Sequence, residues 1–272
     1  MSDVVNAVVL PVWRDEAADG PTNMAADELL AEEAARHGGL VMRLYSWAEP
    51  TVSLGAFQRR SDASACAAIA GLPVVRRPSG GGAIVHGTDL TYAAAVPKDH
   101  PWGATPQALY DALHAAMVQA LAEVGYRARR HVPSAEDPPA DALLCFSRRS
   151  PGDVVIAGRD GATATTDPKV MGSAQRRLGA TVLQHGSLLL SACSRVAAPA
   201  RHPGLAELPS STPGGGDPDQ NASALADRWT SLVAEALGID RIQPPGTFRE
   251  PRQDAIAVRA ARFRDERWTR RR

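Results

Sequence analysis

The sequence predicts an α+β fold, a mixed or largely antiparallel sheet flanked by helices. Three features carry that reading. Strand-like and helix-like runs do not alternate strictly, one long amphipathic run stands at 105–124, and a second group of strand-like runs follows between 153 and 190. No internal repeat is visible. With 272 residues, of which 44% are hydrophobic and 22% charged, the chain can bury a sizeable core.

Residues 4–13 are apolar and β-branched and read as a first strand. Pro21-Thr22-Asn23 offers a helix start, with Asp27 and Glu28 early in the helix and Gly38-Gly39 as its stop near His37. Residues 40–47 alternate as a strand, with Val41, Arg43, Tyr45 and Trp47 on one side and Leu40, Met42 and Leu44 on the other. Residues 51–54 form a short strand ending at Gly55, and 62–70 a short alanine-rich helix carrying Cys66. Two apolar runs, 72–75 and 90–96, flank a glycine-rich segment. In 105–124, Leu109, Leu113, Met117, Leu121 and Val124 form one stripe facing a sheet, closed by Gly125. A strand at 127–132 and a loop at 133–139 follow. Residues 153–157 and 169–177 read as a hairpin around the polar loop 158–168, and 181–190 as another strand. Residues 199–218 are a Pro-, Gly- and Ser-rich connection. Leu225, Trp229, Leu232, Val233, Ala236 and Leu237 mark a late amphipathic helix, and the basic tail 252–272 is helical. These readings give a catalytic domain over 1–245 (core 20–190), a helical tail over 246–272 and no separate accessory domain.

Composition excludes several classes. Formal net charge is zero, so no long-range field favours nucleic acid or an anionic membrane. Cys66, Cys145 and Cys193 are too few and scattered for a disulfide framework or a zinc site. The N-terminus lacks a signal peptide's basic start and apolar core, and no run is long enough to span a bilayer, so a cytoplasmic location is expected. Walker A and Rossmann fingerprints and metal-ligand clusters are missing from the sequence.

The chemistry concentrates in four places. Arg76-Arg77-Pro78-Ser79-Gly80-Gly81-Gly82-Ala83-Ile84-Val85-His86 is a donor-rich loop that lets a ligand approach the backbone, although a glycine run is more often a plain turn. Only two of the 30 basic residues are lysine, Lys98 and Lys169. Lys98 sits in a polar turn and reads as solvated. Lys169 opens Lys169-Val170-Met171-Gly172-Ser173-Ala174-Gln175, and is either a cation for an acyl carbonyl or thiolate, or a solvated hairpin residue. Cys145 lies among Leu143, Leu144 and Phe146; such a thiol is commonly just packed, and only the Ser-Arg-Arg-Ser turn after it suggests a thiolate. His86 and His185 each precede a glycine and are either structural groups or acid–base candidates.

Taken together these blocks resemble the lipoate–protein ligase/octanoyltransferase superfamily. The resemblance rests on the glycine block, on 169–177, on Gln184-His185-Gly186-Ser187-Leu188, on Arg43-Leu44-Tyr45-Ser46-Trp47 with Ser53-Leu54-Gly55 and Phe57-Gln58, and on Asn23-Met24-Ala25-Ala26-Asp27-Glu28, which looks like the family's first helix, and it covers most of residues 20–190. It implies a catalytic domain like that of biotin ligases and class II aminoacyl-tRNA synthetases. Cys145-Phe146 matches the cysteine of the LipM/LipL-type octanoyltransferases, which ATP-using ligases generally lack. The resemblance therefore implies transfer of octanoyl from acyl carrier protein to a lysine of a lipoyl domain or of glycine-cleavage H protein, through a Cys145 acyl-enzyme. Lys169 is then the second catalytic residue. Arg77, Ser79, Gly80, Gly81, Gly82, His86, Gly172, Ser173 and His185 are implied to bind substrate or brace the pocket. No cofactor or metal is implied. ATP and magnesium enter only under the alternative of an ATP-dependent lipoate ligase. An octanoyl-H-protein:lipoyl-domain amidotransferase and a silent carrier-binding protein are further alternatives; a biotin ligase lacks support because no Gly-Arg-Gly-Arg run is present. Asp89 is displaced from where relatives carry an aspartate, and the 158–168 loop is longer than their usual turn.

Overall fold

The computed structural model describes residues 7–135, 137, 142–158, 167–198, 200–210, 218–244 and 246–271. Most of the loop expected at 158–168, and parts of those at 133–139 and 199–218, lie outside the described residues, as do residues 4–6 of the first strand. Strands β1 (Val9–Leu10) and β2 (Val12–Arg14) lead into helix α1 (Gly20–His37). Next come β3 (Val41–Tyr45), β4 (Thr51–Leu54), α2 (Arg60–Ala65), β5 (Val74–Arg76), β6 (Ile84–His86) and β7 (Asp89–Pro97). Helices α3 (Pro101–Ala104) and α4 (Pro106–Glu123) are followed by β8 (Ala128–Arg130), β9 (Val154–Ile156), β10 (Lys169–Leu178) and β11 (Thr181–Leu189). The chain ends with α5 (Pro218–Ala236), β12 (Arg241–Ile242), α6 (Gln253–Arg264) and α7 (Glu266–Arg270).

The main sheet has the order β2-β3-β7-β11-β10-β9-β8, with β2 and β3 parallel and the other pairs antiparallel. A smaller sheet, β5-β4-β6, carries the glycine loop between two of its strands. The α+β expectation is thus met. Strand alternation decides which side chain enters which layer. In β3 and its flanks, Leu40, Met42 and Leu44 join the core under α4 and α5, whereas Val41, Tyr45 and Trp47 join the core under α1 and α6. Both faces are covered, so β3 is buried throughout. The α4 stripe packs Leu109, Leu113, Met117 and Leu121 against the first core, and Trp229 of α5 locks there by donating its indole N–H to the Leu113 carbonyl. Phe248, Ile256 and Phe263 of the tail pack into the second core, with Met24 and Leu30 of α1.

Several boundaries differ from the sequence reading, each for a local reason. The first strand breaks at Pro11, which has no N–H to give a ladder, so β1 pairs with β12 and β2 with β3. Helix α1 starts one residue before Pro21, because Asp19 caps it by accepting from the Thr22 N–H at 2.8 Å. The expected 62–70 helix ends at Ala65; Cys66 is extended and a 3₁₀ turn, Ala67–Ile69, follows. Val124 falls off the α4 stripe because it lies past the last helical residue and is exposed. Pro101–Ala104 forms an unanticipated short helix, starting at the proline.

Candidate active site

The glycine loop owes its shape to Arg77. Its Nη2 donates to the Gly80 and Gly82 carbonyls at 2.7 and 2.6 Å, and Nη1 to the Ser53 carbonyl at 2.7 Å and Oγ at 3.2 Å. The loop carbonyls are thereby turned toward the guanidinium, and no described residue accepts from the N–H groups of Gly80, Gly81 or Gly82. Gly81 has φ +88°, where a side chain is strained, and a Cβ on Gly55 would lie 2.1 Å from the Gly81 oxygen. Among the described residues no carboxylate pairs with Arg77. Burial, only partly offset by attraction to the Cys145 sulfur, pushes its pKa down to about 10.

The same loop positions Cys145. Ala83 pairs with Leu144 in a parallel bridge, its N–H donating to the Leu143 carbonyl at 2.8 Å while the Cys145 N–H donates to the Ala83 carbonyl at 2.7 Å. A 3₁₀ turn, Cys145–Ser147, then exposes the thiol to a cavity while Phe146 is buried. Cys145 is half-buried rather than sealed in a core; Cys193 is buried and Cys66 half-buried in a separate cluster.

Lys169 begins β10, where a shift in register against β9 between Lys169 and Met171 re-aims the side chain. Its Nζ lies 2.8 Å from Asp153 Oδ2, 3.4 Å from Cys145 Sγ and 3.3 Å from the Cys145 carbonyl. Only 2% of the lysine side chain is exposed, so it is not the solvated hairpin residue that the sequence left open. Burial opposes its charge, but the sulfur and the Asp153 carboxylate outweigh burial and raise its pKa above the ordinary lysine value. Gly172 makes the room: a Cβ there would lie 2.6 Å from Lys169 Cε and 2.8 Å from Nζ. In Gly172→Ala the ammonium has to move away from the sulfur. Iodoacetamide alkylation of Cys145 at neutral pH is expected to slow about tenfold with the melting temperature little changed; an unaltered rate would contradict the pairing.

Behind these groups stand two Ser–His–Asp chains. His86 faces Ser53 Oγ through Nε2 and Asp89 Oδ2 through Nδ1, both at 2.8 Å, and stacks on Trp47 at 3.9 Å. Asp89 also accepts from Thr91, Ser187 and the Gly87 N–H. Burial works against its charge, yet the bonds and the imidazole hold its pKa below the usual carboxylate value. Asp89 is therefore the orienting partner of His86. His185 lies between Ser79 and Asp27, 3.3 Å from the latter, and burial lowers its pKa.

Together these groups line one cavity. Its lining joins Cys145, packed beside Ile84, to Met24, Tyr45 and Trp47, which belong to the core under α1. Of the residues singled out in the sequence, Cys145, Arg77, Gly81, His86, Gly172, Ser173 and His185 line it. Ser79 stands behind His185, and Gly80 and Gly82 face Arg77 through their carbonyls, outside the lining. Asp153, Asp27, Met24, Tyr45, Trp47 and Ser53 were not singled out as site residues. For Asp153 a signal existed: it heads the strand expected to pair with the one that Lys169 opens. No group of described residues could hold a metal ion, and no described helix is long and apolar enough to cross a membrane.

A family model for the lipoyl protein ligase A/B catalytic domain matches residues 19–201. Octanoyltransferase LipM of Carboxydothermus hydrogenoformans is 35% identical over 176 residues, 63% of this chain and 61% of that protein. Octanoyltransferase LipM of Anoxybacillus flavithermus is 36% identical over 194 residues, 66% of each. The chain thus matches just under two thirds of the length of these curated relatives. A T. acidophilum protein solved with bound lipoic acid shares the fold, with a TM-score of 0.67 at 18% identity, covering 96% of this chain and 98% of that one.

Proposed function

The chain belongs to the lipoyl protein ligase A/B catalytic domain family, and from that premise we propose that it is an octanoyltransferase working through Cys145. The observation that carries the reading is the Cys145 sulfur, open to a largely apolar cavity and 3.4 Å from a buried ammonium that Asp153 holds in place. In the first step the Cys145 thiolate attacks the carbonyl of an octanoyl thioester on acyl carrier protein. A carbon–sulfur bond to Cys145 forms, the bond to the carrier sulfur breaks, and the carrier thiol leaves with a proton. In the second, a lysine amine of a lipoyl domain or H protein attacks the acyl-enzyme, giving the amide, freeing Cys145 and releasing the proton from nitrogen. Lys169 stabilises first the thiolate and then the oxyanion, and the unengaged N–H of Gly81, which lines the cavity, is a candidate donor to the same oxygen. Because the donor is already activated, no ATP is required.

The test is an intact mass after incubation with octanoyl-acyl carrier protein and no ATP. An octanoyl adduct that hydroxylamine removes is expected, and Cys145→Ala abolishes it. Lipoate-dependent ATP–pyrophosphate exchange would instead select a ligase, and inertness in both assays a binding protein. In this reading the apolar lining from the core under α1 sets the acyl chain length. Met24→Ala is expected to raise the decanoyl-to-octanoyl ratio of acyl-enzyme formation about tenfold, the scale of one or two methylenes in an apolar pocket. An unchanged ratio would place the limit elsewhere.

A further inference from the structure

Helix α4 carries a histidine that the chemistry above does not use. His114 is fully buried one helical turn after Tyr110, and the two rings stack at 3.9 Å. Its Nδ1 lies 2.7 Å from the Gly152 carbonyl; a carbonyl cannot donate, so Nδ1 carries the proton. Burial, with the nearby Lys169 charge, pushes its pKa down to about 3, so the ring is neutral and Nε2 is an acceptor. The Ser173 hydroxyl, 2.7 Å away, therefore donates to it. Tyr92 then donates to Ser173 Oγ at 2.7 Å and accepts from Gln184 Nε2 at 2.7 Å. Every hydrogen bond in this series runs the same way, toward the Gly152 carbonyl.

The two partners of His114 belong to the two segments that enclose Lys169. Gly152 immediately precedes Asp153, whose Oδ2 takes the ammonium at 2.8 Å and the Ser150 N–H at 2.7 Å. Ser173 immediately follows Gly172, where an added Cβ would meet Lys169 Cε at 2.6 Å and Asp153 Oδ1 at 3.3 Å. The ammonium and its carboxylate therefore occupy a slot between β10 and the 150–153 turn, which the Asp153 N–H closes on the Ser150 carbonyl. His114 spans the two walls of that slot. Tyr110 holds the same turn, since its hydroxyl donates to Asp153 Oδ1 at 3.4 Å and a Cβ on Gly152 would lie 2.9 Å from its ring. Neither ring lines the cavity, so any effect on the chemistry passes through Asp153 and Lys169.

We propose that His114 is a positioning residue for the Cys145–Lys169 pair, fixing the width of the slot from which the ammonium reaches the sulfur. This deepens the octanoyltransferase reading and rests on it for the catalytic meaning of the pair. A ring that only filled space could be exchanged for any of like shape, whereas a bridge needs its donor and its acceptor.

The test is iodoacetamide alkylation of Cys145, read by peptide mass at pH 7 and pH 10. At the higher pH a thiol ionises without help, so only the neutral rate reports on the ammonium. His114→Phe keeps a ring and loses both bonds. It is expected to slow alkylation about tenfold at pH 7 and less than about twofold at pH 10. His114→Asn, whose amide keeps a donor for the Gly152 carbonyl, is expected to return the pH 7 rate to within about threefold of wild type. Tyr92→Phe breaks the same series one link farther from Lys169 and leaves both His114 bonds. It is expected to lower the urea midpoint with the pH 7 rate unchanged. An unaltered pH 7 rate in His114→Phe overturns the proposal; so does equal slowing in Tyr92→Phe, because any defect in this core would then suffice. Should His114→Phe not fold, Ser173→Ala decides in its place. Slowing of about threefold at pH 7 but not at pH 10 supports the bridge, and no slowing overturns it. Acyl-enzyme formation from octanoyl-acyl carrier protein is followed in parallel. Its absence in wild type sinks the octanoyltransferase reading, while the alkylation rates still decide about His114.

Discussion

Lys169→Met is expected to slow acyl-enzyme formation by about 10²–10³-fold while the protein still folds, the size of effect seen when one preorganised oxyanion stabiliser is removed. The residue is the only buried cation in direct contact with the thiol among the described residues, and methionine replaces it with a neutral chain of similar length. The same change leaves the Asp153 carboxylate buried without its cation, so part of any loss could be structural. The double variant Lys169→Met/Asp153→Asn separates the two contributions. Urea unfolding is expected to recover much of the stability in the double variant, whereas the acylation rate is not. If restoring stability also restored the rate, Lys169 would be a scaffold and not a catalytic group.

Arg43→Met is expected to cost about 3–5 kcal/mol of stability, because it removes one partner of a fully buried ionic cluster. Arg43 Nε pairs with Asp15 at 2.5 Å and Nη1 with Asp27 at 2.8 Å, and none of the three side chains is exposed. Asp27 also accepts from the Tyr45 hydroxyl at 2.7 Å and faces His185, so the cluster braces the cavity wall that Tyr45 and His185 help to form. The effect depends on pH with a definite sign. Burial alone would raise the Asp15 pKa, but Arg43, the Arg249 N–H and the Thr247 hydroxyl hold it below the usual aspartate value. The stabilisation it supplies is therefore complete above that value and is lost as pH falls through the lowered one. Without Arg43 that support disappears, so the deficit is largest at neutral pH and shrinks in acid. The urea midpoint at pH 7 and pH 3.5 checks this; a deficit that grew in acid would contradict the assignment.

Much of this arrangement was legible in the sequence, and the parts that were not share a cause. The two-sided alternation of residues 40–47 mapped directly onto two cores, because period-two patterning states which face a side chain takes. The α4 stripe likewise named Leu109, Leu113, Met117 and Leu121, and failed only at Val124, where helix geometry ends. Ser79 was expected to line or brace the pocket, and it stands behind His185, hydrogen-bonded to that ring. Met24, Trp47 and Asp27 were invisible as site residues because nothing local distinguishes a core side chain that closes a cavity from one that merely packs.

The residues themselves determined the chemical inventory: one thiol before a polar turn, one lysine in a chain that otherwise uses arginine, and a glycine triplet between strands. Only the tertiary structure decided that Cys145 and Lys169 meet, because they are 24 residues apart and belong to different elements. Their meeting depends on the Ala83–Leu144 bridge, on the shifted register between β9 and β10, and on the space left by Gly172. Local preference acts over a few residues, whereas the distance between a sulfur and an ammonium is set by how sheets and helices pack, which no short stretch encodes.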